Sequence, residues 1–223
     1  MIVEVPTRYG IIAVTDRDTH QYDWFRLSGM SIDYGEIQQV LALLAERPRG
    51  VALDVGASFG SWSLALAPHA TTVFAFEPQS AVYDLLKRTI ALNGTTNIEP
   101  LHRAVGEKPG LATILRPDLD APDNFGGSVS LCDTPLGPTE EVRVVTLDQI
   151  FADQGDVSFI KIDVEGYEPH VLRGAARTIA RCRPILAVER IHKHTDSPAL
   201  EKQIIALGYA IVDEAMDWVC VPV

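Results

Sequence analysis

From Val51 onward, the sequence alternates between short apolar runs rich in β-branched residues and segments with helical periodicity. The runs "VALDVG" and "TTVFAFE" are separated by "SWSLALAPHA", and "AVYDLLKRTIALNG" follows as a helix that ends at Gly94. Alternation of this kind is typical of parallel strands joined by crossover helices, which cover both faces of the sheet. The pattern predicts an α/β fold built on one mostly parallel sheet.

The remaining strand candidates run to the end of the chain: "IEPLHRAV", "ATILR", "EEVRVVTL", "VSFIKID" and "RPILAVER". The last two, "LGYAIVD" and "DWVCVPV", leave no room for a crossover helix between them, so they are predicted to pair as an antiparallel hairpin. Residues 117–140 are rich in Pro, Gly and Asp, which predicts a long surface loop suited to covering a substrate.

The pattern of apolar residues over 1–33 differs from the strand–helix alternation that follows. We interpret residues 1–33 as an N-terminal extension and residues 34–223 as the main domain. In the extension, "GIIAVT" and "DWFRL" are predicted to be short strands, whose edges could pair between subunits of a homo-oligomer. The following segment, from Asp33, places Ile37, Val40, Leu41 and Leu44 on one helical face.

The charge and cysteine content restrict the partners and the compartment. A formal charge of −11 over 223 residues argues against a sequence-independent grip on nucleic acid or on an anionic membrane, and it disfavours phosphorylated substrates. The three cysteines suggest neither a disulfide framework nor a thiolate zinc site. With no signal-peptide pattern or membrane-spanning run, we expect a cytoplasmic protein that acts on a small molecule.

The stretch "LDVGASFGSW" is the first chemical signal, because an apolar strand breaks into Gly56, Ala57, Ser58, Phe59 and Gly60 before a helix. In doubly wound sheets, nucleotides bind in the crevice at such strand ends. The alternative interpretation is a plain tight turn between strand and helix.

Glu77 ends the second strand 21 residues beyond Gly56, the spacing at which an acidic side chain accepts hydrogen bonds from ribose hydroxyls. A dinucleotide site would have glycine where Ser58 stands, and the serine would crowd a pyrophosphate. The two features together favour a cofactor with a ribose and no phosphate, of which S-adenosylmethionine is the obvious example.

The order of these motifs resembles the FkbM-type S-adenosylmethionine-dependent methyltransferases from about Tyr34 to about Glu189. The similar segments are "DVGASFGSWSLALA", "VFAFEPQ", "RAVGE", "DNFGGSVS", "VVTLDQI", "FIKIDVEGYEPHVLRGA" and "PILAVE". The resemblance implies a Rossmann-like methyltransferase fold with a seven-stranded sheet, and methyl transfer, usually to a hydroxyl of a sugar or secondary metabolite. It also implies the cofactor-binding residues Asp54, Gly56, Ala57, Ser58, Gly60, Glu77, Pro78, Ala104, Val105 and Asp163.

Attack by an alcohol requires loss of its proton, so a base near the methyl group is expected. The candidates are Asp163, Glu165, Glu189 and His192, which should lie at the same sheet edge as Gly56. Asp163 and Glu165 could instead cap the helix near Glu168, and the "HKH" of His192 could be a solvated turn. Asp163 with Glu189 and His192 could also hold a divalent ion, a point that the sequence leaves open.

Two other functions use the same fold. A nicotinamide-dependent oxidoreductase is disfavoured by Ser58, since the dinucleotide fingerprint wants glycine there. A non-catalytic nucleotide-binding module is disfavoured because Asp163, Glu165 and Glu189 are all present.

Overall fold

The computed structural model describes residues 1–125, 137–153, 155–190, 197–214 and 217–223. The strands are β1 (Ile2–Thr7), β2 (Gly10–Thr15), β3 (Val51–Val55), β4 (Thr72–Phe76), β5 (Ile98–Leu101), β6 (Ala104–Val105), β7 (Gly110–Leu115), β8 (Thr139–Val145), β9 (Val157–Ile162), β10 (Ile185–Glu189), β11 (Tyr209–Glu214) and β12 (Asp217–Pro222). The α-helices are α1 (Gln21–Ser28), α2 (Tyr34–Ala45), α3 (Ser61–Leu66), α4 (Ser80–Leu92), α5 (Leu147–Phe151), α6 (Glu168–Gly174), α7 (Ala176–Cys182) and α8 (Ser197–Ala206).

The central sheet has seven strands in the order β11-β12-β10-β9-β3-β4-β5. The five strands from β10 to β5 are parallel, and β12 pairs antiparallel with both β10 and β11. This confirms the predicted mostly parallel sheet and its C-terminal antiparallel hairpin. The strand order reverses at β3, which has β4 on one side and β9 on the other. A reversal of this kind opens a crevice at the carboxyl ends of the strands, where α/β proteins bind ligands.

The two faces of the sheet carry different side chains because residues alternate along each strand. On β9, Ile160 and Ile162 join the core beneath α5, α6 and α7, whereas Phe159 packs on the opposite face with α2, α3 and α4. Lys161 shares the side of Phe159, so it enters a largely apolar layer, in which Asp54 is also buried. That layer leads to the polar strand ends described below.

The N-terminal segment forms a β1–β2 hairpin followed by the helix α1, so the prediction of a strand at "DWFRL" is wrong. The carboxylate of Asp18 explains the helix, because it accepts hydrogen bonds from the backbone amides of His20, Gln21 and Tyr22 at the helix start. The hairpin packs against α4, where the hydroxyl of Thr89 accepts from Ala13 N at 3.0 Å. The division into 1–33 and 34–223 stays a prediction.

A second sheet of three strands, ordered β6-β8-β7, stands beside the central one. "IEPLHRAV" therefore divides into β5 of the central sheet and β6 of this smaller sheet. "ATILR" and "EEVRVVTL" contribute β7 and β8. The smaller sheet forms one wall of the crevice beside β4. Within the described ranges, the structure has no helix that is both long and apolar enough to cross a membrane.

Candidate functional site

The predicted cofactor loop, residues 56–60, directly follows β3 and lies against the end of β9. Gly56 has a φ of +83°, and a Cβ at this position would lie 1.8 Å from the backbone oxygen of Asp163. Only glycine can therefore fit there. The amides of Gly56 and Ala57 both donate to the oxygen of Phe76, at 3.0 and 2.9 Å, so the loop is also fixed to the end of β4.

Glu77 fastens the same loop from the end of β4. Its buried carboxylate accepts from Ser58 N and from Gln79 N, each at 2.9 Å. Burial raises the pKa of Glu77 to about 7, and the two backbone hydrogen bonds oppose that rise. Ser58 itself has a φ of +48°, a left-handed conformation that is unfavourable for serine.

An open cleft of about 380 Å³ lies between this loop and the smaller sheet, and we call it the apolar cleft. Gly56, Pro78, Ala104 and Val105, all predicted cofactor residues, line it. Its other walls, which the sequence did not predict, include Arg103, Ile114, Val164 and Tyr167. An apolar cleft of this kind suits an adenine ring, with the end of β4 beside it for the ribose.

Asp54 lies beneath the loop and is fully buried. The hydroxyl of Ser63 donates to its Oδ2 at 2.6 Å, which ties β3 to α3. Its Oδ1 has no hydrogen-bond partner among the described residues and lies 3.9 Å from the Nζ of Lys161. Burial raises the pKa of Asp54, while Lys161 lowers it. Asp54 therefore supports the loop from below.

Lys161 is the residue that connects the loop to the candidate base. Its side chain is 4% exposed, and its Nζ donates to Gly56 O at 2.8 Å and lies 3.1 Å from Asp163 Oδ2. Burial alone would lower the pKa of Lys161, but the neighbouring aspartates, with Asp163 foremost, raise it above its usual value. The ammonium group thus stays charged and orients Asp163.

The helix-capping interpretation fails for Asp163 in the described residues, because Glu168 closes the turn instead. The Oε1 of Glu168 accepts from Val164 N at 3.2 Å and from Gly166 N at 3.0 Å. Asp163 is directed toward Lys161 and the crevice.

Three of the four candidate bases come together at the carboxyl edge of β9 and β10. One oxygen from each of Asp163, Glu165 and Glu189 lies within 4.8 Å of the others. Burial, then the charges of Asp163 and Glu165, raise the pKa of Glu189 to about 11. His192 lies outside the described residues, as do residues 126–136 of the predicted covering loop.

Further acidic side chains lie at this carboxyl edge of the sheet, at the start of α2 and on β12. Asp217 faces Glu189 directly in the antiparallel register, and Asp33 accepts a 3.1 Å hydrogen bond from Trp62 Nε1. Burial raises the pKa of Asp33 to about 6, and burial together with the charge of Asp163 raises that of Asp217 well above its usual range. We call this region the acidic pocket, formed by Asp33, Glu36, Asp163, Glu165, Glu189 and Asp217.

Sequence reasoning missed Lys161, Asp33 and Asp217. A lysine inside the apolar run "VSFIKI" was a readable signal, since an unpaired buried ammonium is costly. Asp33 and Asp217 carried no comparable signal, because each stands at an element end where acidic residues are common.

Comparisons with known proteins agree with this geometry. The model of the methyltransferase FkbM domain matches residues 54–211, well over half of the chain. The methyltransferase sdnD of Sordaria araneosa is 25% identical over 198 residues, which cover 74% of this chain and 76% of that protein.

Solved structures show the same fold. The methyltransferase FkbM from Methylobacillus flagellatus matches with a TM-score of 0.52 and 22% identity, over 77% of this chain but only 42% of that chain. The precorrin-6y C5,15-methyltransferase of Geobacter metallireducens matches with a TM-score of 0.53 and 11% identity, over 92% and 97% of the two chains. A tRNA (uracil-54, C5)-methyltransferase of Pyrococcus abyssi, solved with S-adenosyl-L-homocysteine, matches with a TM-score of 0.51 and 11% identity, over 99% of this chain and 43% of that one. The family match, on the Rossmann-like methyltransferase fold, establishes that this chain belongs to the FkbM methyltransferase family.

Proposed function

We propose that this protein transfers the methyl group of S-adenosylmethionine to a hydroxyl oxygen of a small molecule, such as a sugar or a secondary metabolite. The observation that carries the proposal is the position of Asp163. It lies at the switch point of the sheet, with the apolar cleft on one side and the acidic pocket on the other. A sulfonium cofactor in the cleft would bring its methyl group toward this carboxylate.

The residues of the apolar cleft fit such a cofactor. Pro78, Ala104 and Val105 offer apolar contacts for an adenine, and the loop from Gly56 to Gly60 has no charged side chain. Glu77 is the acceptor for the ribose hydroxyls, and Ser58 remains in place of the glycine that a pyrophosphate would need. The cofactor supplies an electrophilic methyl group, so the protein needs chiefly to position the acceptor.

Asp163 is proposed as the group that orients or deprotonates the acceptor hydroxyl. Lys161 holds one of its oxygens at 3.1 Å, which leaves the other oxygen for the acceptor. Burial and the neighbouring carboxylates raise the pKa of Glu189, which favours its protonated form and suits it better to donate a hydrogen bond than to act as the base.

The first test is a calorimetric titration with S-adenosylmethionine, S-adenosylhomocysteine and NAD. We expect binding of the first two and none of NAD. Tight NAD binding without the methyl donor would favour the oxidoreductase. Transfer of a labelled methyl group to small molecules in a cell extract, followed by mass analysis, would then identify the acceptor.

The second test is Asp163→Asn, assayed with that acceptor. We expect turnover to fall at least tenfold, about 1.4 kcal/mol of transition-state stabilisation, with donor affinity unchanged. Glu201→Gln, an exposed change on α8, is the matched control. Unchanged turnover in Asp163→Asn would contradict the proposed role, and lost donor binding would assign Asp163 to the cofactor.

A further inference from the structure

We propose that the hydroxyl of Tyr167 accepts a hydrogen bond from the 6-amino group of the cofactor's adenine. Tyr167 would then be a specificity-determining residue, although the sequence did not place it among the cofactor-binding residues. The inference rests on the proposed function, because it takes the apolar cleft, which Tyr167 lines, as the site of S-adenosylmethionine.

The side chains that line the apolar cleft offer few polar groups. Among the residues that the structure describes there, only Arg103 and Tyr167 have polar side chains, and the others are apolar or glycine. The guanidinium of Arg103 carries donors only, and its Nη1 donates to His102 O at 2.6 Å. A tyrosine hydroxyl can both donate and accept. Tyr167 is therefore the one described side chain of the cleft wall that can accept a hydrogen bond.

The ring of Tyr167 packs between an aromatic neighbour and a glycine. The imidazole of His170 stacks on it, with ring centroids 4.1 Å apart and an interplanar angle of 10°. A Cβ at Gly106 would lie 3.1 Å from Cε1 of Tyr167 and 4.0 Å from its hydroxyl oxygen, so the absence of a side chain there leaves room for the ring. The hydroxyl end therefore lies beside the backbone that directly follows Ala104 and Val105, which line the cleft.

Contacts between α6 and the segment after β6 support this wall of the cleft. The Nε of Arg173 donates to Glu107 Oε2 at 2.8 Å, and His170 Nδ1 lies 3.4 Å from the same oxygen. The backbones also approach closely, because a Cβ at Gly174 would lie 2.0 Å from Gly106 O. A ring that is already held in place loses less side-chain entropy when a ligand binds.

Adenine has the chemistry that this acceptor would recognise. Its ring faces suit the apolar walls of the cleft, and its 6-amino group is a hydrogen-bond donor. Arg103 cannot satisfy that donor, because a guanidinium has no acceptor. An amino group that is buried without a partner costs free energy, so an acceptor in the wall favours adenine. Backbone carbonyls are the alternative acceptors, and the experiment separates them from Tyr167.

The experiment is a calorimetric titration of the full chain with two ligands. One is S-adenosylhomocysteine, and the other is its analogue in which hydrogen replaces the 6-amino group. We expect Tyr167→Phe to weaken binding of S-adenosylhomocysteine about three- to tenfold, the usual effect of one lost hydrogen bond. Binding of the analogue should not change, because it has no amino group for the hydroxyl to accept from. Tyr167→Ala also removes the ring, and it should weaken both ligands by about tenfold or more.

Tyr83→Phe is the matched control, because Tyr83 also stacks on a histidine, His102, but does not line the cleft. It should bind both ligands as the wild type does, and circular dichroism checks that each variant folds. Equal losses for the two ligands in Tyr167→Phe, or no loss for either, would overturn the proposed contact while the wild type still binds S-adenosylhomocysteine. A wild type that does not bind S-adenosylhomocysteine would overturn the proposed function, and this contact with it.

Discussion

The carboxyl edge of the central sheet is apolar on one side of β3 and acidic on the other. Beside the apolar cleft, the carboxylate of Glu77 already accepts two backbone hydrogen bonds. In the acidic pocket, carboxylates from four separate segments converge with Lys161 as their buried ammonium. Both regions gather residues that are distant in sequence, but the cleft is lined mainly by apolar side chains, whereas the pocket gathers carboxylates.

The difference suggests that the two regions bind different molecules. An apolar cleft suits the adenine of an invariable ligand such as a cofactor. A pocket lined by carboxylates suits polar contacts with a hydroxyl. Gly56 and Lys161 join the two regions, since both touch Asp163 or its backbone.

The largest effect is expected from Gly56→Ala, which breaks the junction itself. The new Cβ would lie 1.8 Å from Asp163 O, in a backbone conformation that also disfavours alanine. We expect a loss of more than about 4 kcal/mol in the free energy of unfolding. Urea denaturation checks this. Gly94→Ala is the matched control, because it also has a positive φ but open space around it, and should cost only about 1 kcal/mol. Equal losses in the two variants would refute the close approach.

Lys161→Met should destabilise the acidic pocket and also remove the hydrogen bond from Lys161 Nζ to Gly56 O at the edge of the apolar cleft. Removing one partner of a buried ion pair typically costs about 3–5 kcal/mol. Part of this loss should disappear at low pH, where the acids become neutral. The measurement is urea unfolding at several pH values, with Lys202→Met on the exposed side of α8 as the control. A loss that does not depend on pH would mean that Lys161 acts through packing alone.

Asp33 should make the stability of the acidic pocket depend on pH. Burial raises its folded pKa to about 6 from 3.8, so the folded state holds this proton more tightly than the unfolded state. The tighter binding of this proton therefore stabilises the folded state below pH 4, and this contribution is lost as pH rises toward 6. Relative to wild type, Asp33→Asn should gain on the order of 1–3 kcal/mol between pH 4 and pH 7. Unfolding curves across this range, with Asp23→Asn as an exposed control, would show it. A constant difference would contradict the prediction.

The smallest effect is expected in the cofactor loop. Ser58 has a φ of +48°, and its amide rather than its side chain holds Glu77. Ser58→Gly should therefore relieve the strain and change stability by less than about 1 kcal/mol, in the stabilising direction. Thermal unfolding measures the shift. A marked loss of stability would show that the serine hydroxyl contributes more than the backbone conformation costs.

Much of the architecture was readable because it rests on local patterns. The strand runs and the "DVGASFG" turn were predicted correctly, since alternation and glycine placement report backbone conformation directly. The "DWFRL" strand was wrong because the helix there depends on the carboxylate of Asp18, outside the segment. "ATILR" and "EEVRVVTL" were found as strands, but which sheet they join depends on pairing between distant residues.

The sequence by itself determined the sheet, the loop at Gly56, and the exit of Asp163 and Glu189 at one edge, because parallel strands end together. Only the tertiary structure decided that Lys161 would face Asp163 and that Asp33 and Asp217 would close the acidic pocket. The physical reason is that charge interactions depend on distance in space. Asp33 and Asp217 lie near opposite ends of the chain, and no periodicity reports that packing brings them to the same site.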